Sequence, residues 1–328
     1  MSTHIFGPVP SRRLGISLGV DLIPYKTCSL DCIYCECGPT SVCTTERRRF
    51  SDPVQVLGEL QNRLAAHPQL DAITFSGSGE PTLHSDLGFL ITEIKRLTSI
   101  AVAVLTNSTL LPQPEVRADL QAADIVLPSL DAASEDVFQR INRPCPGLHA
   151  DQLIAGLTDF RRKFAGQLWL EVFIVRGIND HEGELNALHE AICRIDPDKV
   201  QLNTIDRPPA CAEARAVEMP FLEQLIARWH DLPVEVIKRV RRKEEITAFS
   251  QNLENNILNT VRRRPLTVDD LVSLTGMKKV ELLKYIDILE KEKKIAPQIS
   301  GGKVFYTAFP SGPLNTDQIE GNGTPEDR

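Results

Sequence analysis

The residues best suited to chemistry are Cys28, Cys32 and Cys35, spaced C-x3-C-x2-C, with Tyr34 directly before the third. A short loop of this kind can turn all three sulfurs toward one metal centre. Three thiolates on a [4Fe–4S] cluster leave one iron without a protein ligand, and that open position is where chemistry takes place. Two other readings use the same residues. A structural zinc site closes with four ligands, usually as two well-separated pairs, and no matching Cys/His pair follows this loop. A redox dithiol needs only Cys32 and Cys35 and leaves Cys28 idle.

A second stretch, Ser76-Gly77-Ser78-Gly79-Glu80-Pro81, follows a short apolar run. Glycines there let the backbone come close to a ligand, and a carboxylate accepts hydrogen bonds from an ammonium group. A tight strand–helix turn has the same composition. Other apolar runs also end in polar residues: Thr106 and Asn107, then Ser129 and Asp131. Asn107 and Asp131 are equally ordinary capping or turn residues. Glu171 sits among apolar neighbours, and a carboxylate inside a sheet is costly unless paired, so the expectation is an inner face opposite a cation, the alternative being a sheet edge. Asn203 is a second inner-face candidate. Arg207, before Pro208-Pro209, either clamps an anionic substrate group or braces its loop, and Arg12 and Arg13 pose the same choice between anion site and solvated pair. Cys37 and Cys43 read as spare ligands or free thiols.

These residues need a scaffold. Apolar runs over 16–23, 71–75, 100–105, 124–127, 168–175 and 199–203 read as strands. Helical spacing covers 52–66, 86–97, 114–122, 134–141 with 150–164, and 181–194. About six strand–helix units predict a parallel sheet with helices outside. The polar residues collect at the C-terminal ends of the strands, the edge that carries the active site in (β/α) barrels. Eight units are not found, so the expectation is an α/β fold with an open, partial (β/α)6 barrel over residues 1–245. Residues 7–15 read as a turn-rich lead-in. Beyond a helix at 221–229 and a strand-like 233–239, helical segments at 251–263, 267–274 and 277–292 precede a hairpin around Gly301-Gly302. That small α+β unit, residues 249–310, resembles a winged helix. Residues 311–328 have the composition of a disordered tail.

Net charge is −7 over 328 residues, unevenly spread. Residues 238–303 hold 15 Lys+Arg against 9 Asp+Glu, and the remainder 22 against 35. The basic part suits a nucleic-acid partner; the acidic part does not. No apolar run approaches the roughly 20 residues needed to span a bilayer, and the first ten residues lack a signal layout. A cytoplasmic, reducing compartment follows, with the eight cysteines as metal ligands and free thiols rather than disulfides.

The cysteine spacing with its aromatic residue, and the Gly-Glu-Pro segment placed after the next strand, closely resemble the radical S-adenosylmethionine (SAM) superfamily. The opening Gly-Pro-Val-Pro-Ser-Arg-Arg-Leu-Gly and the Cys-Ile-Tyr-Cys triad look like a largely uncharacterised branch of iron–sulfur oxidoreductases, grouped loosely with wybutosine-type tRNA-modification enzymes. The resemblance implies that Cys28, Cys32 and Cys35 ligate a [4Fe–4S] cluster whose open iron binds SAM. Gly77, Ser78, Gly79, Glu80 and Pro81 would meet the methionine end; the family motif usually reads Gly-Gly-Glu-Pro, so Ser78 is a departure. Tyr34 would lie by the adenine, Thr106 and Asn107 by the ribose, and Ser129 and Asp131 by the methionyl carboxylate or the substrate. Glu171, Asn203 and Arg207 are the substrate-side candidates. Reductive cleavage of SAM to a 5′-deoxyadenosyl radical, hydrogen abstraction from a substrate, and an electron donor such as flavodoxin or ferredoxin are implied with it. The substrate is read as RNA, with Lys278, Lys279 and the 262–264 arginines on phosphates, or as a peptide or protein gripped by strand addition. A DNA-binding redox regulator is a third reading, but it has no use for a methionine pocket.

Overall fold

The computed structural model describes residues 4–66, 69–237, 253–275, 277 and 279–309. Eight strands form one sheet. In chain order these are β1 (Ile5–Ser11) and β2 (Gly15–Val20), then, after two short strands β3 (Thr27–Cys28) and β4 (Val42–Cys43), β5 (Ala72–Phe75), β6 (Ala101–Thr106), β7 (Ile125–Pro128), β8 (Gln167–Ile174), β9 (Lys199–Thr204) and β10 (Val234–Val236). The spatial order is β1-β2-β5-β6-β7-β8-β9-β10, with β1 antiparallel to β2 and every later pairing parallel. The six expected strands are β2 and β5 to β9. β10 extends the sheet by one parallel strand, and β1 occupies part of the stretch read as turn.

Helices α1 (Pro53–Ala66), α2 (Leu87–Leu97), α3 (Pro114–Asp119), α4 (Glu135–Ile141), α5 (Ala150–Arg161), α6 (Glu182–Ile195) and α7 (Met219–Arg228) connect the parallel strands. Their apolar stripes, such as Leu87, Leu90, Ile91 and Ile94 on α2, pack on the outward residues of the strands as one continuous core. That core takes most of the driving force, at about 25 cal/mol per Å² of apolar surface removed from water. Side chains alternate along a strand, so on β8 Leu168, Leu170 and Val172 enter this core while Trp169 and Glu171 face the other way. Trp169 joins Leu14, Ala72, Ala103 and Leu127 in a small inner cluster.

The C-terminal part holds α8 (Leu253–Val261), β11 (Leu266–Thr267), α9 (Val268–Thr275), α10 (Lys279–Lys291), β12 (Ile295–Ser300) and β13 (Lys303–Ala308). Its three strands pair antiparallel in the order β11-β13-β12. Phe6 and Val9 of β1 are buried in the same apolar cluster as Ile257, Leu271 and Ile286, so this core continues onto the first strand. The tail expected over residues 311–328 lies outside the described residues. Among those residues, no helix is long and apolar enough to cross a membrane.

Candidate functional site

Because β2 and β5 to β9 are parallel, the loops that follow them share one edge of the sheet, and the polar residues of the sequence meet there. The cysteine loop leaves β2 and is pinned at several points. Lys26, held in a left-handed conformation at φ 57°, donates its N–H to the Ser78 carbonyl at 3.1 Å, and Thr27 O accepts from Glu80 N at 3.3 Å. The cysteine and Gly-Glu-Pro loops are therefore stitched backbone to backbone. The glycines serve that stitch: a Cβ on Gly79 would lie 2.3 Å from Thr27 O, and one on Gly77 2.2 Å from the Asp21 carboxyl. The close approach expected toward a ligand is made here by the neighbouring loop.

Each of the three thiols faces a nitrogen donor. Lys26 Nζ lies 3.1 Å from Cys35 Sγ, Asn107 Nδ2 3.4 Å from Cys28 Sγ, and Asn142 Nδ2 3.4 Å from Cys32 Sγ. Burial pushes the Cys28 thiol up to about 12, with Glu80 adding to it, and burial with Asp131 raises Cys32. Cys35 is pulled down to about 6, first by a hydrogen bond from Cys37 and then by Lys26, against burial. Buried thiols without a cation resist ionising, and N–H donors aimed at sulfur suit thiolates bound to iron. The donor set fits an iron–sulfur cluster on chemistry: three thiols in one loop, each with an outer partner. Lys26 and Asn142 were not singled out from the sequence, since their roles arise only when the loop folds over them.

Glu80 is buried and fully engaged. Its Oε1 accepts from Thr82 N and Oγ1 and from Thr106 Oγ1 at 2.7 Å, and its Oε2 from Asn107 N at 2.8 Å. Burial raises its pKa, and these donors pull against that. Pro81 opens the short helical turn Pro81–Leu83 that Glu80 caps. Thr106 and Asn107 thus hold Glu80 and Cys28, and Asn107 also donates to Ser29 Oγ at 2.9 Å. The Ser129 N–H donates to Thr106 O, fixing the start of the next loop. In that loop Asp131 accepts from Phe173 N at 3.0 Å, from Asn142 Nδ2 at 2.8 Å and from the Tyr34 hydroxyl. Burial lifts Asp131 to about 6. Tyr34 stacks on Phe173 with ring centroids 3.9 Å apart. Ser78, at the family's glycine position, donates its hydroxyl to Asp21 Oδ2 at 3.0 Å, and Arg263 Nε reaches the same oxygen at 2.9 Å.

Glu171 pairs with Arg13 at 3.0 Å and accepts from Asn203 Nδ2 at 2.9 Å. Arg207, only 5% exposed, binds both Glu36 oxygens at 2.9 and 3.0 Å, so it braces the end of the cysteine loop and is not an open anion clamp. Arg12 lies 3.6 Å from Asp206.

One cysteine reading is corrected. Cys43 and Cys145 form a disulfide, with Cα atoms 5.8 Å apart across 102 residues. Thr44 N donates to Cys28 O and Cys145 N to Ser29 O, so the two chains flank the same backbone segment and arrive within bonding reach. The other cysteines outside the triad, Cys37, Cys193 and Cys211, are free thiols.

The 262–264 arginines split. Arg262 is exposed, while Arg263 is held by Asp21 and by the Phe6 ring, 4.5 Å from its guanidinium carbon. Burial and Arg207 pull Arg264 down to about 10. The position of Lys278 and the side chain of Lys279 lie outside the described residues.

Comparison with known proteins agrees with this arrangement. The chain is 37% identical over 310 residues to a Brachyspira hyodysenteriae protein named GTPase Obg, covering 92% of this chain but only 45% of that protein's length. It is 32% identical to a UPF0026 protein of Methanocaldococcus jannaschii, covering 93% of this chain and 95% of the other. Among solved structures, Streptococcus suis SuiB bound to its precursor peptide SuiA shares the fold over 70% of this chain and 49% of its own, at 13% identity and a TM-score of 0.51. Residues 22–188, which run from the cysteine loop through β8 into α6, match the family model described as Radical SAM superfamily. With three cysteines on one loop, a Gly-Glu-Pro turn stitched to it and a parallel partial barrel beneath, the chain belongs to the radical SAM superfamily of iron–sulfur enzymes, whose cofactors are a [4Fe–4S] cluster and SAM.

Proposed function

We propose that the chain is a radical SAM enzyme that activates a C–H bond of a peptide or protein substrate, with Cys28, Cys32 and Cys35 as the cluster ligands. Bound there, the cluster and SAM supply reductive cleavage of a carbon–sulfur bond and hydrogen abstraction, the hard chemistry that the fold itself lacks. The chain's residues do the positioning. Lys26, Asn107 and Asn142 orient the three sulfurs. Glu80, locked by Thr106 and Asn107, holds the Gly77–Gly79 turn where the methionine end would rest. Asp131 fixes Tyr34 against Phe173 on the side expected for adenine, and Ser129 anchors the loop that carries Asp131. Glu171, Arg13 and Asn203 form a charge-balanced polar wall on the inner face, suited to amides and hydroxyls of a neutral substrate. A flavodoxin or ferredoxin would supply the electron.

One observation carries the choice of peptide over RNA: two of the three clustered arginines of the C-terminal part, Arg263 and Arg264, are turned inward against Asp21 and the Arg207–Glu36 group rather than toward phosphates. Exposed residues of that part include apolar ones, Ile299 (77% exposed) and Leu283 (43%) among them, which suit a protein partner. Its order of helix, short strand, two helices and hairpin resembles that of a winged helix, a fold that can grip proteins as well as nucleic acids.

The test uses anaerobically reconstituted protein. It should hold about four irons per chain and slowly form 5′-deoxyadenosine from SAM once reduced. Loss of neither property in Cys28→Ala, Cys32→Ala or Cys35→Ala protein would overturn the cluster assignment. Salt-sensitive binding of bulk tRNA at low salt would overturn the peptide reading in favour of RNA.

A further inference from the structure

Away from the cysteine loop, three metal-ligating side chains converge on the outer face of the barrel. His189 and Cys193 stand four residues apart on α6, which puts them on the same helical face one turn apart. Asp231 reaches them from the turn between α7 and β10. That turn is rigid: Trp229, 1% exposed, roots it in the core, Leu232 N donates to Trp229 O at 3.0 Å, and Val200 N donates to Pro233 O at 2.9 Å. The Trp229 ring also lies beside the imidazole, with centroids 6.0 Å apart.

His189 Nε2 is 2.9 Å from Asp231 Oδ1, while Cys193 Sγ lies 3.8 Å from Nδ1 and 4.0 Å from Nε2. One ligand atom from each residue falls within 4.8 Å of the other two. In a tetrahedral zinc site with bonds of about 2.0 Å to nitrogen and oxygen and about 2.3 Å to sulfur, ligand atoms sit roughly 3.3–3.6 Å apart. The observed spacings bracket that range, so small side-chain rotations bring the three onto one ion.

We propose that His189, Cys193 and Asp231 form a binding site for a single divalent transition cation of the zinc class, with water in the fourth position. Thiolate, imidazole and carboxylate together are a borderline-soft donor set, which favours zinc over magnesium or calcium. Two anionic ligands and one neutral one neutralise a divalent ion. The surroundings are consistent: His189 is half-buried beside Trp229 while Cys193 and Asp231 are exposed, so the site opens to ions from solvent. The same three residues also have the order of a Cys–His–Asp relay. A reactive thiol, however, sits in an electropositive setting, and the charged neighbour here is the Asp231 carboxylate. His230, next in the chain to Asp231, is exposed and adds a neighbouring imidazole.

The location gives the ion a structural task. The turn before β10 and the C-terminal half of α6 lie at the end of the sheet opposite the cysteine loop, so the ion ties α6 to the last strand without touching the cluster.

The test uses the full chain with its cluster reconstituted, dialysed against micromolar zinc chloride alone and assayed for zinc and iron together. About one zinc per chain, beyond the cluster iron, is expected in the wild type. His189→Ala and Cys193→Ser should bind more than tenfold more weakly at unchanged iron content, and Cys211→Ser should bind as the wild type does. Zinc should also raise the unfolding temperature of the wild type but not of Asp231→Asn, and should slow alkylation of Cys193. Equal zinc uptake by the wild type and His189→Ala, or no zinc in the wild type at unchanged iron, overturns the site. Iron content and SAM cleavage report separately on the cluster, so failure here leaves that reading untouched.

Discussion

The Lys26 ammonium lies 3.1 Å from the Cys35 sulfur and is itself buried, 4% exposed, beneath the loop that carries the three thiols. A cation fixed at that distance stabilises negative charge on the sulfur and on anything bonded to it. Lys26→Met should therefore lower the reduction potential of the reconstituted cluster. The expected fall is about 60 mV, the one-electron equivalent of a charge-assisted contact worth roughly 1.4 kcal/mol. A redox titration followed by electron paramagnetic resonance measures it, and an unchanged potential would show that Lys26 acts only in folding.

Ser78 stands where the superfamily usually has glycine, and its hydroxyl feeds Asp21. Ser78→Gly should cost about 1 kcal/mol of stability, from one lost hydrogen bond plus the flexibility of glycine. SAM affinity should remain within a few-fold of wild type, because the glycines on either side already give the loop its path. Urea unfolding and equilibrium dialysis with SAM separate the two effects.

Arg207, buried, and Glu36, about a quarter exposed, form an ion pair at the exit of the cysteine loop. Burial pushes Glu36 up, but Arg207, Arg12 and Arg264 outweigh it and bring its pKa down to about 2. A depressed carboxyl pKa contributes stability that is present above its unfolded value, near 4.5, and is lost as the pH falls toward 2. Glu36→Gln should remove roughly 2 kcal/mol at neutral pH and flatten the decline of stability between about pH 5 and 3. Arg207→Ala, which leaves Glu36 with only Arg12 and Arg264 nearby, should cost about 2 kcal/mol. Urea midpoints of the cluster-free protein across that pH range check both.

Asn142 donates from one amide nitrogen to both Cys32 Sγ and Asp131 Oδ2. Asn142→Ala should loosen the Asp131–Tyr34 contact and weaken SAM binding by about tenfold, with most of the cluster iron retained. Normal SAM affinity in this variant would separate Tyr34 from the cofactor site.

The parallel sheet was legible in the sequence because each strand is a short apolar run closed by polar or glycine residues, a local signal. β1 was not, because Gly7, Pro8 and Pro10 break the pattern and its partners lie elsewhere: Ile5 pairs with Val20, and Phe6 packs under the C-terminal helices. Cys28, Cys32 and Cys35 announced themselves by spacing alone. Asn142, more than a hundred residues later, had no such mark, since an asparagine at a helix end is unremarkable until Cys32 is beside it. The Cys43–Cys145 bond was hidden for the same reason: its partners share no local pattern, only a common neighbour in the Cys28–Leu30 backbone. Arg207 reads from sequence only as a cation, and its partner, Glu36, could be found only once the barrel had brought the loop after β9 back to the loop after β2.

Asp21 Oδ2 receives three donors: the amide and hydroxyl of Ser78 and the guanidinium of Arg263. One oxygen thus joins the turn that precedes Glu80 to the end of α8. Any molecule that draws Arg263 away on binding the C-terminal part changes how firmly the Gly77–Gly79 turn is held, and with it the affinity for whatever that turn grips. Thermodynamic linkage makes the effect mutual: the factor by which one ligand alters the binding of the other is the same in both directions. The two ends of this junction therefore share one coupling factor, which Arg263→Ala should bring to unity.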